Sequence, residues 1–206
     1  MQRLTRAEAR ARTRDAVLDA ATKLFLRDGF RATSLERIAE EAGYTHGAVY
    51  SNFTNKTAIG IAVVNALYEA EERRVLALIA AASERGRPWY EAVAQWSESG
   101  IGDRGWARLE AELAAFGSTD GALRNATADR YRSFRRRWGE LATTAAQGAG
   151  IRLDLDAELL AAALIGLGLG IGIQRVADST IPGSAFADIL RAIATAATPG
   201  TADQAQ

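Results

Sequence analysis

Apolar residues recur at helical spacing along most of the chain, and polar residues or glycines mark where each run begins and ends. The first apolar face precedes a stop signal at Asp28-Gly29 and is formed by Val17, Leu18, Ala21, Leu24 and Phe25. Strand-like alternation and Asn-Gly hairpin signals do not occur, and only three prolines are present. The pattern therefore predicts an all-α protein.

Two short helices are predicted next. Thr33, with Glu36 three residues on, has the pattern of a capping box that opens a second helix, and Gly43 closes it. Thr45 can cap a third, shorter helix that ends near residues 52–53. Because a tight turn containing glycine joins these two helices, the spacing predicts a helix-turn-helix.

Later helices are predicted from the same signals. Asn55 can cap a fourth helix, and Pro88 suits the first turn of a fifth. The predicted ranges are 56–82, 88–99, 104–116, 123–146, 157–176 and 184–197.

The charge of the chain is balanced overall but uneven along its length. The 206 residues include 25 basic and 25 acidic side chains. Residues 1–56 hold ten basic and seven acidic side chains, net +3, and the remainder is net −3. The first fourteen residues contain one acidic residue, Glu8, and five arginines: Arg3, Arg6, Arg10, Arg12 and Arg14. A flexible basic arm of this kind is typical of nucleic-acid binders, although a solvated helical start explains the same charges.

Composition excludes several kinds of chemistry. The chain has no cysteine and one histidine, His46, so disulfides, thiolate nucleophiles and multi-histidine metal sites are excluded. The glycine-rich run 166–172 lacks the spacing and the preceding strand of a dinucleotide fingerprint. No nucleophile elbow or phosphate-binding lysine loop is present. We therefore expect no enzyme activity, no cofactor and no metal.

The third predicted helix carries the candidate nucleic-acid contacts. It is too short to bury much surface, and its polar groups lie opposite Ala48 and Val49, which suits entry into a major groove. Each candidate also has a structural interpretation. In that interpretation the N-cap residue is only a cap, the histidine an ordinary exposed one, the glycine a flexible position, and the tyrosine partly core. The four candidates are Thr45, His46, Gly47 and Tyr50.

Two further residues are candidates for phosphate contacts. Lys56 stands at the predicted start of the fourth helix, where a cation is slightly unfavourable for the helix itself but adds charge for an anion. Thr33 is predicted to open the second helix, so its hydroxyl and the neighbouring amides could hold another phosphate.

These residues resemble the DNA-binding domain of the tetracycline-repressor (TetR) family of bacterial transcriptional regulators. The resemblance covers about a quarter of the chain and rests on Ala20-Ala21, Leu24-Phe25, Asp28-Gly29-Phe30, Thr33-Ser34, Ile38-Ala39, Ala42-Gly43-Tyr44-Thr45, Gly47, Val49-Tyr50, Phe53 and Lys56. It implies a DNA-binding domain at 1–56, with its basic arm, and a helical effector-binding and dimerisation domain at 57–206. Tyr44 stands where the family usually has a small aliphatic residue, and it could add a backbone contact.

The resemblance also implies which residues touch DNA. It places phosphates against Thr33, Thr45, Tyr50 and Lys56, and bases against Thr45, His46 and Gly47. Together with Ser34 and Tyr44, these residues form the predicted DNA-binding set.

The aromatic residues of the second predicted domain suggest an effector site. All four tryptophans lie there, and helical spacing makes a core the simpler interpretation of any one of them. The ligand candidates, for an apolar or aromatic effector, are Trp96, Trp106, Phe116 and Tyr131. The arginine run 130–137 is most simply a solvated face, and an anionic effector stays open.

The glycine-rich helix is the candidate dimer element. In the family, the matching helix and the last helix form a four-helix bundle across the dimer, and burial within one subunit is the alternative for each residue. The candidates are Leu160, Leu164, Leu167, Gly168, Ile171, Phe186, Ile189, Leu190 and Ile193. The uncharged run 159–174 is shorter than the roughly 20 residues of a bilayer span, so we expect a buried soluble helix. The amino terminus lacks the apolar stretch of a signal peptide, and a cytoplasmic protein without a membrane partner is predicted.

The favoured function is a ligand-responsive transcriptional repressor that binds a pseudo-palindromic operator as a homodimer. A small-molecule effector would move the fourth helix and change the spacing of the two recognition helices. Two alternatives differ in class. One is an enzyme with a helical active site, and the other is a helical module that acts through protein partners alone.

Overall fold

The computed structural model describes residues 5–101, 103–117, 120–148 and 155–197. Within these ranges the regular structure is entirely α-helical, which confirms the predicted fold class. The helices are α1 Arg6–Asp28, α2 Leu35–Ala42, α3 His46–Tyr50, α4 Lys56–Glu84, α5 Trp89–Gly100, α6 Arg104–Gly117, α7 Gly121–Gly148, α8 Ala157–Ala177 and α9 Ala185–Ala197.

Helix α1 begins earlier than its apolar face indicates. Thr5 is its N-cap and accepts a hydrogen bond from the Glu8 amide, while the Glu8 carboxylate accepts from the Thr5 amide at 2.7 Å. This capping box satisfies two donors at the start of the helix. The same contact, first of all with the Thr5 amide, lowers the pKa of Glu8. The prediction of a flexible basic arm is therefore wrong from residue 6 onward, since Arg6 and the next three arginines lie within a helix.

The start of α2 is displaced by one residue from the prediction. Ser34 is the N-cap, and its hydroxyl accepts a hydrogen bond from the Arg37 amide at 3.2 Å. Thr33 cannot fill this role because its hydroxyl donates to the Gly29 carbonyl at 2.8 Å. Helix α2 ends as predicted at Gly43, whose φ of 71° is the left-handed conformation that glycine adopts without strain.

Contacts divide the chain into two compact units. The first comprises the described residues of 1–70 and 104–129, and the second those of 71–103 and 130–206. The predicted boundary between residues 56 and 57 remains a prediction. In the first unit, α6 and the start of α7 accompany the three N-terminal helices.

The first unit has a continuous apolar core. Phe30 lies at its centre and makes edge-to-face contacts with Phe25 and Phe116, at centroid distances of 5.3 and 5.5 Å. Residues from α1, α2, α3, α4, α6 and α7 contribute to this core, including Val17, Leu24, Ile38, Val49, Ile59, Val63, Leu109, Leu113 and Leu123. The helix-turn-helix therefore shares one core with α6.

The second unit has a smaller core. Its buried residues are Val93, Ile101, Ile171, Phe186 and Ala187. Trp96 packs against this core, with its ring 6.0 Å from that of Phe186, and its Nε1 donates to Glu71 Oε2 at 2.7 Å. The indole is thus both packed and hydrogen-bonded.

Helix α8 exposes one apolar face. Leu159 is 57% exposed and Ile173 is 60% exposed. Between them, a Cβ added at Gly166 or Gly170 would meet no atom within 4 Å. We call the residues that share this face the α8 stripe: Leu159, Ala163, Gly166, Gly170 and Ile173.

The prediction that this helix is buried is therefore wrong for a single chain. By length and composition α8 could cross a membrane. An 18-residue stretch of the helix has a mean hydropathy of 1.8, and 17% of that stretch is buried. The core helix of a soluble protein can pass the same test. Contiguous exposed apolar residues of this kind are typical of a surface that packs against a partner.

Candidate nucleic-acid interface

Helix α3 presents a polar exposed face over an apolar support. Val49 is fully buried in the core of the first unit, and it fixes the opposite face of the helix outward. Thr45 is the N-cap, accepting a hydrogen bond from the Ala48 amide at 3.3 Å. Gly47 is exposed, and the only described atom near a Cβ added there is the Thr45 hydroxyl oxygen at 4.0 Å. A backbone this open can approach a base edge closely.

His46 and Tyr50 form the outer edge of the same face. Their rings meet edge to face at 4.7 Å, and Tyr50 is 50% exposed. His46 Nε2 lies 3.2 Å from Glu36 Oε1, so α2 and α3 are linked across the exposed side. Hydrogen bonds from its own amide and from Ser34 lower the pKa of Glu36, and His46 acts in the same direction.

Two predicted contact residues lie outside α3 and are less exposed than its outer face. Ser34 is half-buried at the N-terminus of α2, with its hydroxyl engaged in capping. Tyr44 is also half-buried, and its amide donates to the Ala39 carbonyl at 3.0 Å. Each residue is thus anchored by a hydrogen bond to the backbone of α2.

The other two predicted phosphate ligands are turned into the chain. Thr33 is 1% exposed, so its side chain has no surface to offer a phosphate. Lys56 is half-buried, and its Nζ donates to the carbonyls of Phe30 and Thr33 at 3.0 Å and to that of Arg31 at 3.4 Å. An ammonium group has three donors, and all three are used here. The phosphate contacts of these two side chains stay predictions, and in the chain without DNA both side chains bond within the turn.

Two arginines of α1 support the recognition helix. Arg10 Nη2 donates to the Ser51 carbonyl at 2.9 Å, and Arg14 Nη1 donates to the Asn52 carbonyl at 3.4 Å. Arg14 also lies 4.3 Å from the centre of the Phe53 ring. These contacts neutralise carbonyls at the C-terminal end of α3. This role is not predictable from spacing, because the arginines stand some forty positions from Ser51 and Asn52.

The four predicted ligand-binding aromatics are not brought together by either unit alone. Trp106 and Phe116 belong to the first unit, where Trp106 contacts Tyr68 edge to face at 5.3 Å. Trp96 and Tyr131 belong to the second. Phe116 also lines an open groove of about 520 Å³ in the first unit. Among the described residues, no group of His, Cys, Asp or Glu side chains could hold a metal ion.

The predicted dimer residues divide between core and surface. Ile171 and Phe186 are buried in the core of the second unit, and Leu167 and Leu190 pack against it. Burial within one chain is thus observed for Ile171 and Phe186, whereas Leu167 and Leu190 are half-buried and their place in a dimer stays a prediction. Gly168 lies 3.6 Å from Phe186 when a Cβ is added, and Leu160 and Leu164 are half-buried. Ile189 and Ile193 of α9 are exposed, at 39% and 55%.

Comparison with known proteins supports an assignment based on this N-terminal region. Residues 17–63 match the family model described as bacterial regulatory proteins, tetR family. The HTH-type transcriptional regulator TtgR of Pseudomonas putida is 39% identical over 72 residues, which are 35% of this chain and 34% of that protein. The HTH-type transcriptional repressor BepR of Brucella suis is 47% identical over 57 residues, 28% of this chain and 27% of the relative. The matched segments thus span about a third or less of these curated relatives.

Solved structures share the fold over most of the chain. A protein described as a TetR-family transcriptional regulator from Rhodococcus sp. has a TM-score of 0.72 at 20% identity, covering 91% of this chain and 100% of that one. A transcriptional regulator from Saccharomonospora viridis in complex with choline has a TM-score of 0.66 at 20% identity, covering 91% and 96%. At this identity the likeness shows the fold alone.

The fold and the exposed face of α3 define an all-α protein of the helix-turn-helix class. The match to a family model lies over this helix-turn-helix. Residues 17–63 form a helix-turn-helix domain similar to that of the bacterial regulatory proteins of the tetR family.

Proposed function

We propose that this chain binds operator DNA through α3 and acts as a ligand-responsive transcriptional repressor. The observation that carries the proposal is the geometry of α3: Val49 is buried, while Thr45, His46, Gly47 and Tyr50 face outward together. A short helix supported in this way can enter a major groove with its first turn against the base edges. The relative BepR is itself named as a repressor.

The proposal includes a homodimer on a pseudo-palindromic operator. Two recognition helices related by a two-fold axis fit half-sites about one helical turn apart. The α8 stripe, with Ile189 and Ile193 of α9, supplies an exposed apolar surface that a second copy could cover. In the proposal, the dimer contact lies about 100° around α8 from the face of Leu167 and Ile171, since neighbouring helical residues differ by that angle.

Regulation by a small molecule is the third part of the proposal. The choline complex of the Saccharomonospora viridis protein supports a ligand site in a protein of this fold. For this chain the effector is a small molecule of unidentified structure, and the aromatic residues Trp96 and Tyr131 of the second unit are candidates for its site. A cytoplasmic location and the absence of enzymatic turnover accompany this function in the proposal.

Titration of labelled DNA tests the proposal directly. Purified protein is added to random-sequence duplex at low salt and then to the duplex that it selects from a random pool. We expect salt-sensitive binding to both, with a tighter complex on the selected duplex. An absence of salt-sensitive binding to any duplex would favour a module that acts through protein partners alone.

Substitution of His46 tests whether α3 reads sequence. We expect His46→Ala to change the selected sequence at one or two positions, because a base contact carries sequence information and a phosphate contact does not. Lys23→Ala, an exposed lysine on α1, is the control and should leave the selected sequence unchanged. An unaltered selection with His46→Ala would show that this side chain does not read bases.

A further inference from the structure

Two charged side chains of α6 bind the backbone at the end of α1. Arg108 Nη2 donates to the carbonyls of Leu26 and Arg27, each at 2.8 Å. One turn further along α6, Glu112 Oε2 accepts a hydrogen bond from the Arg31 amide at 2.9 Å. Both contacts join residues about eighty positions apart in sequence. We refer to residues 26–33, the end of α1 and the turn into α2, as segment 26–33.

The backbone of this segment is shaped to receive α6. Gly29 has a φ of 94°, a conformation that L side chains rarely adopt, and a Cβ there would lie 2.6 Å from Glu112 Oε1. A Cβ on Gly105, in the first turn of α6, would collide with the Leu26 carbonyl oxygen. Glycine is therefore required on both sides of the contact, once in α6 and once in segment 26–33.

The remaining polar groups of the segment are bonded from other directions. Lys56 donates to the carbonyls of Phe30 and Thr33. The Thr33 hydroxyl donates to the Gly29 carbonyl. Burial lowers the pKa of Lys56, and the Glu112 carboxylate acts in the opposite direction by favouring the ammonium form. Segment 26–33 is thus fixed by a lysine of α4 on one side and by two charged residues of α6 on the other.

We propose that Arg108 and Glu112 are positioning residues for DNA recognition: they hold segment 26–33, and through it α2 and α3, in the orientation that binds DNA. The inference rests on the proposed function. It follows from the chain path, because Ser34 caps α2 directly after the segment and α2 packs on α3 in the same core. A displacement of α6 would then alter DNA affinity without any change in the residues that touch DNA.

The negative charge of Glu112 lets the direction of the change in DNA affinity distinguish positioning from simple electrostatics. Removing a carboxylate near a DNA-binding surface should strengthen DNA binding if only electrostatics matters, because phosphates repel it. Loss of the Arg31 amide contact predicts the reverse. For Glu112→Ala we expect affinity for the selected duplex to fall about tenfold, the scale of one charge-assisted hydrogen bond. Glu112→Gln keeps an acceptor oxygen and should recover most of this loss.

The experiment measures the affinity of the full chain for the selected duplex across a range of salt. Glu69→Ala is the matched control, since it removes the same charge from an exposed position on α4. Arg108→Ala should weaken binding with an unchanged salt slope, whereas a phosphate contact would lower the slope by about one. Circular dichroism at the assay temperature confirms that each variant is folded.

Each outcome has a defined meaning. Folded Glu112→Ala that binds the duplex as tightly as Glu69→Ala, or more tightly, would overturn the positioning role. A loss that Glu112→Gln does not recover would also contradict it, because the acceptor would then be irrelevant. Failure of the wild-type chain to bind any duplex would overturn the proposed function instead, so the two failures are distinguishable.

Discussion

At the scale of single residues, donor capacity decides what Lys56 can do. Its three N–H donors meet three backbone carbonyls, and its Nζ lies 4.7 Å from the centre of the Phe30 ring. A phosphate could be bound only in exchange for one of these bonds. The position of Lys56 at the start of a helix and the family resemblance both indicated a phosphate contact, and the structure shows that the same side chain already holds the turn in the chain without DNA.

Lys56→Met separates the two roles. The substitution keeps an unbranched side chain but leaves the carbonyls of Phe30 and Thr33 without their donor, so we expect a loss of about 1–3 kcal/mol in the free energy of unfolding. Urea denaturation measures this loss. If Lys56 acts within the turn, the salt slope of DNA binding stays that of the wild type. A slope lower by about one with unchanged stability would restore the phosphate contact.

Asp28 supplies a pH dependence with a definite sign. Arg27 and then Arg37 lower the pKa of its carboxyl from 3.8 to about 2. A lowered pKa in the folded chain means that the stabilisation is complete above pH 4 and is lost as the pH falls towards 2. We expect the wild-type melting temperature to fall across this window and that of Asp28→Asn to fall less. Equal acid sensitivity of the two proteins would show that the contacts of the Asp28 carboxylate with Arg27 and Arg37 together contribute nothing to stability.

At the scale of helices, apolar spacing and capping residues predicted the positions of the helices well. Every described helix lies near a predicted range, because apolar periodicity and glycine stops are local signals. The errors are also local. Thr5 and Glu8 form a capping box that the sequence spells out, yet the arginine charges around it suggested an unfolded arm. Thr33 and Ser34 are both competent caps, and only the buried bond to Gly29 decides between them.

The orientation of α8 shows where local signals end. Its residues are apolar on nearly every side, so periodicity does not distinguish the face that packs on α5 and α9 from the face left exposed. The predicted face passes through Leu167 and Ile171, which belong to the core. The predicted face begins at Leu160, whereas the α8 stripe begins one residue earlier, at Leu159. Choosing between faces one residue apart requires the positions of the neighbouring helices.

At the scale of the whole molecule, chain order is a poor guide to which elements pack together. A boundary at residue 56 follows the sequence, but α6 lies with the helix-turn-helix in the first unit. Besides the shared apolar core, the contacts of α6 there include Arg108 with the end of α1 and Glu112 with the Arg31 amide. They join distant positions by side chain-to-backbone bonds, and no spacing rule predicts such pairs from one sequence. The exposed face of α3 was predictable because every residue in it is local.

The proposed dimer gives the last prediction, which concerns the assembled molecule. Ile173 lies at the end of the α8 stripe and is 60% exposed in one chain. An aspartate there would bury a charge if a second copy covers the stripe, so we expect Ile173→Asp to convert a dimer into a monomer in sedimentation velocity. Leu76→Asp, at an exposed leucine of α4, is the control and should remain dimeric.

DNA binding then reports the consequence of losing the dimer. A monomer engages one half-site and makes about half the phosphate contacts, so affinity for the selected duplex should fall about hundredfold or more and its salt slope should fall as well. A wild-type chain that sediments as a monomer, or an Ile173→Asp variant that remains dimeric, would contradict the assignment of the stripe. Wild-type protein that floats with lipid vesicles would assign it to a membrane instead, since α8 is long enough to span one. The oligomeric state therefore tests whether a second copy covers the α8 stripe.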